Sequence, residues 1–376
     1  MNIFKIVKRD THTSGRCGII KTAHFKVSTP NFMPVATQGS VKTLAPTDLK
    51  NIGVEIIVCN TCHLMLRPTS SLIKKMGGLH RFIGWDRAIL TDSGGFQAYS
   101  LGDLRKVSDD GLEFSSHLDG SKHFLSPEIA VNIQRELESD IAMCLDFFTP
   151  YPSQFLEARL AVERTMNWAK RSRDTKKRMV VFGIVQGATF KNLRRECAER
   201  LVELDFPGYG IGGLMIGEPS KSANEMVNEI NQVIPEEKVR YLMGGGYPED
   251  IIEAVALGVD LFDCVLPTRN GRTGMAFTSE GKIIIKASRY AQDDAPLDKR
   301  CRCSTCKNFS RAYLRHLFNA GEALAGRLVS YHNVNFYLDL MARIRASIQK
   351  GSFQAFAKRT LDNFNFRNHE GNQREG

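Results

Sequence analysis

The stretch Gly258-Val-Asp-Leu-Phe-Asp-Cys-Val-Leu-Pro-Thr-Arg-Asn-Gly-Arg272 joins an apolar run to a basic segment. Its β-type residues predict a buried strand over 261–265 that ends before Pro267. Asp263 lies inside this apolar run, where an unpaired charge is costly. A functional carboxylate near the end of a strand therefore explains Asp263 better than a solvated loop residue does.

Seven other apolar segments resemble this strand, and most of the intervals between them contain helix-like stretches. Eight strands with intervening helices predict an α/β fold, a (β/α)8 TIM barrel. A doubly wound α/β sheet is the alternative, disfavoured because no Gly-x-Gly-x-x-Gly motif follows the first strand. With 261–265, the predicted strands are 33–37, 55–60, 88–91, 141–146, 180–186, 210–214 and 240–243. The helix-like stretches include 155–176, 192–204, 221–234 and 248–257.

The 376 residues carry a formal net charge of +10, and 42% of them are hydrophobic, enough for a large core. Most of the excess charge lies in residues 299–376, which contain 14 Lys and Arg but 5 Asp and Glu. Such charge beside aromatic residues favours a polyanion such as nucleic acid, although a solvated helical surface has a similar composition. With no membrane-length apolar run and no signal-peptide pattern, a cytoplasmic protein without membrane contact is expected.

Polar residues or glycines recur at the C-terminal ends of six predicted strands. In a parallel barrel these ends meet at one face, where barrel enzymes carry their chemistry. A cap or a turn explains any one of them, but their shared position favours a common site. They are Asp92, Asp146, Gln186, the pair Gly212-Gly213, Gly244 with the preceding Met243, and Asp263.

The segment Thr91-Asp-Ser-Gly-Gly-Phe-Gln97 supplies an acid, a hydroxyl and two glycines after the third strand. Glycines let a flat ligand approach the backbone, and an aromatic ring can stack on it. A tight turn with a capping Asp explains the segment equally well. Combined with the other strand ends, it suits a pocket that reads the edge of a purine-like base. The residues that this adds are Ser93, Gly94, Gly95, Phe96 and Leu214.

Two later segments are candidate contacts for a nucleic acid. The glycine-rich one precedes a helix, so its amides could hold a phosphate, and a flexible loop is equally plausible. After Pro267 we expect a loop with an Asn-Gly turn that directs two arginines outward. The residues are Gly244, Gly245, Gly246, Tyr247, Pro248, Glu249 and Asp250 in the first, and Thr268, Arg269, Asn270, Gly271 and Arg272 in the second.

Cys301, Cys303 and Cys306 place three thiols within six residues, which is typical of a metal site. His316 and His332 both compete to be the fourth ligand. Zinc is favoured over an iron–sulfur cluster because the available fourth ligand is a histidine in basic, polar surroundings. A closed site of four protein ligands predicts one structural Zn²⁺. Disulfides are not expected, because nine cysteines are an odd number in an apparently cytoplasmic chain.

These signals divide the chain into three parts. Residues 1–30 predict an N-terminal antiparallel β segment, and residues 31–290 the barrel with its catalytic face. Residues 291–376 predict a zinc-binding, basic helical subdomain packed on the barrel.

The chain resembles the bacterial tRNA-guanine transglycosylases, the queuine tRNA-ribosyltransferase family, over nearly its full length. The resemblance implies a zinc-containing (β/α)8 barrel, usually a homodimer, that binds the anticodon stem-loop of tRNAs with a GUN anticodon (Asp, Asn, His and Tyr). It would exchange their wobble guanine for a 7-deazaguanine precursor of queuosine. The motifs that carry it are 91–97, Asp119-Gly-Ser-Lys-His123, Gly212-Gly-Leu214, 261–269 and the cysteine cluster.

Carried over by matching motif, the resemblance implies that Asp263 is the nucleophile that attacks the ribose and holds the RNA as an ester. Asp92 would be the acid/base residue that handles the proton of the departing or incoming base. Two carboxylates agree with the chemistry, since a glycosidic bond breaks through a cation-like sugar that a carboxylate can capture. Asp146, Gln186 and the Gly213 amide would read the base edge, with Leu214 and Met243 around it and Phe96 stacked on it. His332 matches the family's fourth zinc ligand, and Arg269, Arg272 and the loop from Gly244 match RNA contacts.

Two departures bear on the incoming base. Asp146-Phe147-Phe148 stands where many bacterial relatives have Asp-Glu-Cys, and Met215-Ile216 stands where Ala-Val is common, with Glu218 retained. Both lie near the substituent of the incoming base. The expected base is 7-aminomethyl-7-deazaguanine (preQ1), with queuine as the alternative.

Other classes of function are less well supported. A catalytically silent tRNA-binding subunit would lose the two acids, and both are present. A barrel glycoside hydrolase would not need a basic, zinc-binding C-terminal subdomain. The archaeal-type enzyme that modifies a D-loop base would be expected to carry a further C-terminal RNA-binding domain.

Overall fold

The structure, a computed structural model, describes residues 3–100, 106–175 and 179–365. It opens with an antiparallel sheet of three strands, in agreement with the β segment expected at the N-terminus. These strands are β1 (Phe4–Arg9), β2 (Arg16–Lys21) and β3 (Lys26–Thr29).

Eight parallel strands close a barrel, and the last pairs with the first. All eight predicted strands are confirmed, with ends shifted by up to three residues, because each is a buried apolar run. The barrel strands are β4 (Asn31–Ala36), β5 (Ile56–Cys59), β6 (Ala88–Thr91), β10 (Ile141–Met143), β11 (Val181–Val185), β12 (Gly208–Ile211), β13 (Val239–Leu242) and β14 (Leu261–Cys264). An insertion forms the antiparallel strands β7 (Lys106–Val107), β8 (Leu112–Ser115) and β9 (Lys122–Leu125). A hairpin, β15 (Met275–Thr278) and β16 (Gly281–Ile284), follows the barrel.

Helices connect the strands and cover the barrel. The four predicted helix-like stretches are confirmed, except that Lys176 lies outside the described residues. Within and before the barrel the helices are α1 (Pro46–Ile52), α2 (Thr61–Leu66), α3 (Ser70–Lys75), α4 (Gly78–Ile83), α5 (Gly95–Ser100), α6 (Pro127–Glu136), α7 (Phe155–Thr175), α8 (Lys191–Glu203), α9 (Ser220–Asn231), α10 (Pro248–Ala256) and α11 (Leu266–Thr273). Beyond them are a 3-10 turn (Ser288–Tyr290), α12 (Ser304–Asn308), α13 (Arg311–Asn319), α14 (Ala323–Gln349) and α15 (Phe353–Asn365).

The predicted loop after Pro267 is wrong, because α11 occupies this segment. Pro267 is tolerated in the first turn of a helix, where its missing N–H would have no helical partner. Gly271 permits close packing on α14: a Cβ there would lie 2.6 Å from the backbone of Ser330. The Asn-Gly pair is therefore explained by helix packing rather than by a turn.

Two apolar clusters build the interior. The larger fills the barrel, its helices and the N-terminal sheet, and it includes one side of α14. The smaller surrounds Cys303 and Cys306, and it includes Ala276 and Ile285, which precede the predicted boundary at residue 291. Across the described ranges, no helix combines the length and the apolar character needed to cross a membrane.

Candidate active site

Six of the predicted strand-end residues lie around one cavity of about 300 Å³ at the C-terminal face of the barrel. The fold accounts for this arrangement, because parallel strands that close a barrel bring their carboxyl ends to one face. Ser93, Phe96 and Leu214 line the same cavity. The six strand-end residues are Asp92, Asp146, Gln186, Gly213, Met243 and Asp263.

Gly94 and Gly95 allow close packing behind the part of the cavity wall that Ser93 and Phe96 form. A Cβ on Gly94 would lie 2.9 Å from the backbone nitrogen of Cys62, and one on Gly95 would lie 3.0 Å from the Asp146 carbonyl oxygen. Gly94 also has a positive φ of 79°, which a side chain rarely adopts. Both glycines therefore set the position of the wall that Ser93 and Phe96 present.

Asp263 lies in β14, and one of its carboxylate oxygens is held by two donors. The Tyr241 hydroxyl donates to Oδ1 at 2.7 Å, and the Gly244 N–H donates to the same oxygen at 2.9 Å. No hydrogen bond from the described residues reaches Oδ2. Burial raises the pKa of Asp263, while the two donors oppose the increase.

Asp92, which follows β6, accepts three hydrogen bonds. The Asn60 amide donates to Oδ2 at 2.6 Å, and the N–H groups of Thr61 and Gly94 donate to Oδ1 at 3.0 and 3.1 Å. Burial and the nearby charge of Asp263 nevertheless raise the pKa of Asp92 to about 7. A carboxyl group with this pKa can give and take a proton near neutral pH, as general acid–base chemistry requires.

Asp146 and Gln186 form a hydrogen-bonded pair in the same cavity. Gln186 Nε2 donates to Asp146 Oδ2 at 2.7 Å, and the Ser93 hydroxyl donates to Oδ1 at 3.2 Å. These contacts fix the carboxyl plane, while burial raises its pKa. A fixed carboxyl group suits the adjacent N–H donors on the edge of a guanine-like base.

The loop after β12 completes the cavity beside Gln186. Gly213 has a φ of 62°, and a Cβ on it would lie 2.4 Å from the Oε1 atom of Gln186, so only glycine fits. The Glu218 carboxylate accepts the N–H groups of Met215 and Ile216 at 2.6 and 3.1 Å. Both these side chains line the cavity, and Phe148 does so as well, with its ring centre 4.8 Å from that of Phe96.

The residues predicted to contact RNA differ in exposure. Gly244 and Tyr247 are exposed on the loop after β13, Arg269 and Arg272 are exposed on α11, and Gly244 also lines the cavity. Five others are buried and three are half-buried. The buried ones are Gly245, Gly246, Pro248, Thr268 and Gly271, and the half-buried ones are Glu249, Asp250 and Asn270.

The predicted metal ligands come together away from this cavity. The ligand atoms of Cys301, Cys303, Cys306 and His332 all lie within 4.8 Å of one another, and His332, rather than His316, completes the group. His332 Nδ1 is 3.2 Å from Cys306 Sγ and 3.6 Å from Cys303 Sγ. A tetrahedral zinc requires about 3.6 Å between such atoms.

The orientation of His332 also suits a metal. Its Nε2 lies 2.7 Å from the Phe277 carbonyl oxygen, so this nitrogen carries the proton and leaves the Nδ1 lone pair free. Three thiols and one imidazole nitrogen are the donors of a structural zinc site, so the residues present fit Zn²⁺.

Sequence reasoning missed four residues of the cavity wall or its support: Val58, Asn60, Thr61 and Tyr241. Asn60 ends the second predicted strand, the same signal that identified the other residues. Tyr241 lies within a buried strand and resembles an ordinary core residue, so only the pairing of β13 with β14 relates it to Asp263.

Comparisons with known proteins show which family the chain resembles. A family model described as queuine tRNA-ribosyltransferase matches residues 10–365. The queuine tRNA-ribosyltransferase of Caldanaerobacter subterraneus subsp. tengcongensis is 52% identical over 364 residues, which cover 96% of this chain and 97% of the relative. That of Thermoanaerobacter pseudethanolicus is 50% identical over 367 residues, with 97% and 98% covered. That of Enterococcus faecalis is 46% identical over 366 residues, with 96% of each chain covered. These matches confirm the resemblance carried by the motifs, and the chain belongs to the queuine tRNA-ribosyltransferase family.

Proposed function

We propose that this protein is a tRNA-guanine transglycosylase that exchanges the wobble guanine of GUN-anticodon tRNAs for preQ1. The observation that carries the proposal is that Asp92 and Asp263 line the same cavity as the hydrogen-bonded pair Asp146 and Gln186, which would read the base. Family membership supports the same reaction. A catalytically silent tRNA-binding subunit is disfavoured because both acids are present and line the cavity as half-buried residues.

In the proposed reaction, the flipped guanine enters the cavity and its edge meets Asp146. The free oxygen of Asp263 attacks the ribose anomeric carbon while the glycosidic bond breaks, and protonated Asp92 supplies the proton that the departing guanine takes up. The incoming base then loses a proton to Asp92 and attacks the same carbon, which breaks the ester and restores Asp263. Proton transfer of this kind contributes about 10²–10⁴ in rate.

The size of the cavity favours preQ1 over queuine. Phe148, Met215 and Ile216 all contribute bulky side chains to a cavity of about 300 Å³. An aminomethyl substituent needs less of this space than the cyclic substituent of queuine.

The rest of the proposal concerns partners. Arg269 and Arg272 are exposed on α11, which directly follows the strand of Asp263, and they suit phosphates of the anticodon stem-loop. One structural Zn²⁺ would hold the C-terminal region through the Cys3His group. A homodimer and a cytoplasmic location are proposed from the family resemblance, and light scattering tests the first.

The decisive experiment uses tRNA with labelled guanine at the wobble position. Wild-type protein is expected to release the label with preQ1 and more slowly with queuine, whereas Asp263→Asn should release none. A denaturing gel should show a covalent complex with tRNA for the wild type only. Normal exchange by Asp263→Asn would exclude the nucleophile, and faster release with queuine would reverse the choice of base.

A further inference from the structure

Arg194 of α8 lies fully buried behind the loop that closes the cavity. Its partners in the described chain are four backbone carbonyls. Nε donates to Ala188 at 2.7 Å, and Nη1 donates to Val185 at 3.0 Å and Gly212 at 2.6 Å. Nη2 donates to Gly213 at 3.1 Å. Burial lowers the pKa of Arg194 to about 10, because desolvation disfavours the charged guanidinium.

The hydrogen bonds of Arg194 fix the orientation of the peptide groups that carry the Gly213 and Leu214 N–H groups. A trans peptide is planar, and its C=O and N–H point in opposite directions. Because the Gly212 and Gly213 carbonyls turn toward Arg194, the N–H groups of Gly213 and Leu214 turn away from it. Neither N–H donates to another group within the described ranges, and both residues line the cavity.

We propose that Arg194 is a positioning residue of the base pocket, which presets the Gly213 and Leu214 N–H groups as donors for the ring carbonyl of the base. The inference rests on the proposed function, because it takes a guanine-type base as the ligand. Next to the N–H donors that face Asp146, such a base presents its O6 acceptor. In a 7-deaza base, N7 is replaced by carbon, so O6 is the acceptor left on that side.

If Arg194 had a purely structural role, its substitution would lower stability without a selective loss of guanine binding. Arg240 is the matched control for this alternative. Arg240 is also buried, with its pKa lowered to about 10 by burial. It donates to the Asn231 and Ile234 carbonyls and lies near Asp260, which precedes β14 at the other end of the barrel. A lysine at either position keeps the charge but cannot span several carbonyls as the guanidinium does.

The test measures binding of guanine and of 2-aminopurine, which lacks the ring carbonyl, to tRNA-free protein by calorimetry. Arg194→Lys is expected to weaken guanine binding about tenfold and to leave 2-aminopurine binding within about twofold. The KM for the incoming base should rise by a similar factor, with an unchanged KM for tRNA. Arg240→Lys should lower the melting temperature and leave both base affinities unchanged.

Equal weakening of the two bases in Arg194→Lys, or guanine affinity equal to wild type, would overturn the proposal, as would the same selective loss in Arg240→Lys. Arg194→Gln, which leaves no buried charge, is the second variant if the lysine variant does not fold, and the same selective loss is expected. Wild-type protein that exchanges no guanine from tRNA refutes the proposed function. If the wild-type protein exchanges guanine normally but the Arg194 variants weaken the binding of guanine and 2-aminopurine equally, only this inference is refuted.

Discussion

Tyr241 of β13 and Asp263 of β14 are joined by a hydrogen bond of 2.7 Å from the tyrosine hydroxyl to Oδ1. The Gly244 N–H binds the same oxygen at 2.9 Å. One oxygen of the carboxylate is thus anchored from two sides, and the other is left available for the proposed attack. An anchored carboxylate keeps its attacking oxygen in one direction, which preserves the geometry on which displacement depends.

Tyr241→Phe should therefore slow exchange and change its pH dependence. The hydroxyl lowers the pKa of Asp263, so its removal raises that pKa further above the usual range. In the proposed reaction Asp263 attacks as the ionised carboxylate, so the acid limb of kcat should move to higher pH. We expect kcat to fall about tenfold at neutral pH, the scale of one lost hydrogen bond to a charged group, and to recover in part at alkaline pH.

The matched control is Tyr209→Phe, which alters a buried tyrosine at the start of β12. It should leave the pH profile of kcat where it is in the wild type. An unshifted acid limb in Tyr241→Phe would show that the hydroxyl does not act on Asp263.

Asp92→Asn should stop turnover and stabilise the fold in a pH-dependent way. The pKa of Asp92 is about 7 in the folded protein, against an ordinary value of 3.8. Between these values the folded state binds more protons than the unfolded state, so stability falls as pH rises. Asparagine does not titrate and so avoids this loss.

The melting temperature of Asp92→Asn should match the wild type near pH 4 and exceed it by a few degrees at pH 7.5. Asp174→Asn, an exposed substitution on α7, serves as the control and should show no such divergence. A constant difference across this range would mean that Asp92 does not keep its proton in the folded protein.

The sequence alone predicted the fold and the site where the local residue pattern matches the position of the segment in the folded protein. Buried parallel strands are continuous apolar runs, so their ends predicted the ring that contains Asp92, Asp146 and Asp263. It failed at α11, because Pro267 and the Asn-Gly pair are local turn signals that packing on α14 overrides. Arg194 could not be found in this way either, since a basic residue in a helix usually points to solvent.

Cys303→Ala should remove bound zinc and loosen the smaller apolar cluster. Zinc would tie α12 to α14 through His332, and without it α12 would be held only by the smaller apolar cluster and its hydrogen bonds. We expect about one zinc per chain in the wild type by elemental analysis, none in the variant, and proteolysis first within residues 291–365. Cys17→Ala, a buried thiol elsewhere, should keep its zinc. Full zinc content and wild-type protease resistance in Cys303→Ala would contradict a Cys3His site.

Removing the charges of Arg269 and Arg272 should weaken tRNA binding through electrostatics. Both side chains are exposed on α11, directly after the strand that carries Asp263. Each phosphate contact on single-stranded RNA adds about 0.7 to the slope of log affinity against log salt. The double alanine variant should therefore bind tRNA less tightly at low salt and show a slope shallower by about 1.4. The control removes two exposed lysines of the N-terminal sheet, Lys5 and Lys21, and should leave the slope unchanged. If both double variants change the slope equally, net charge rather than α11 attracts the RNA.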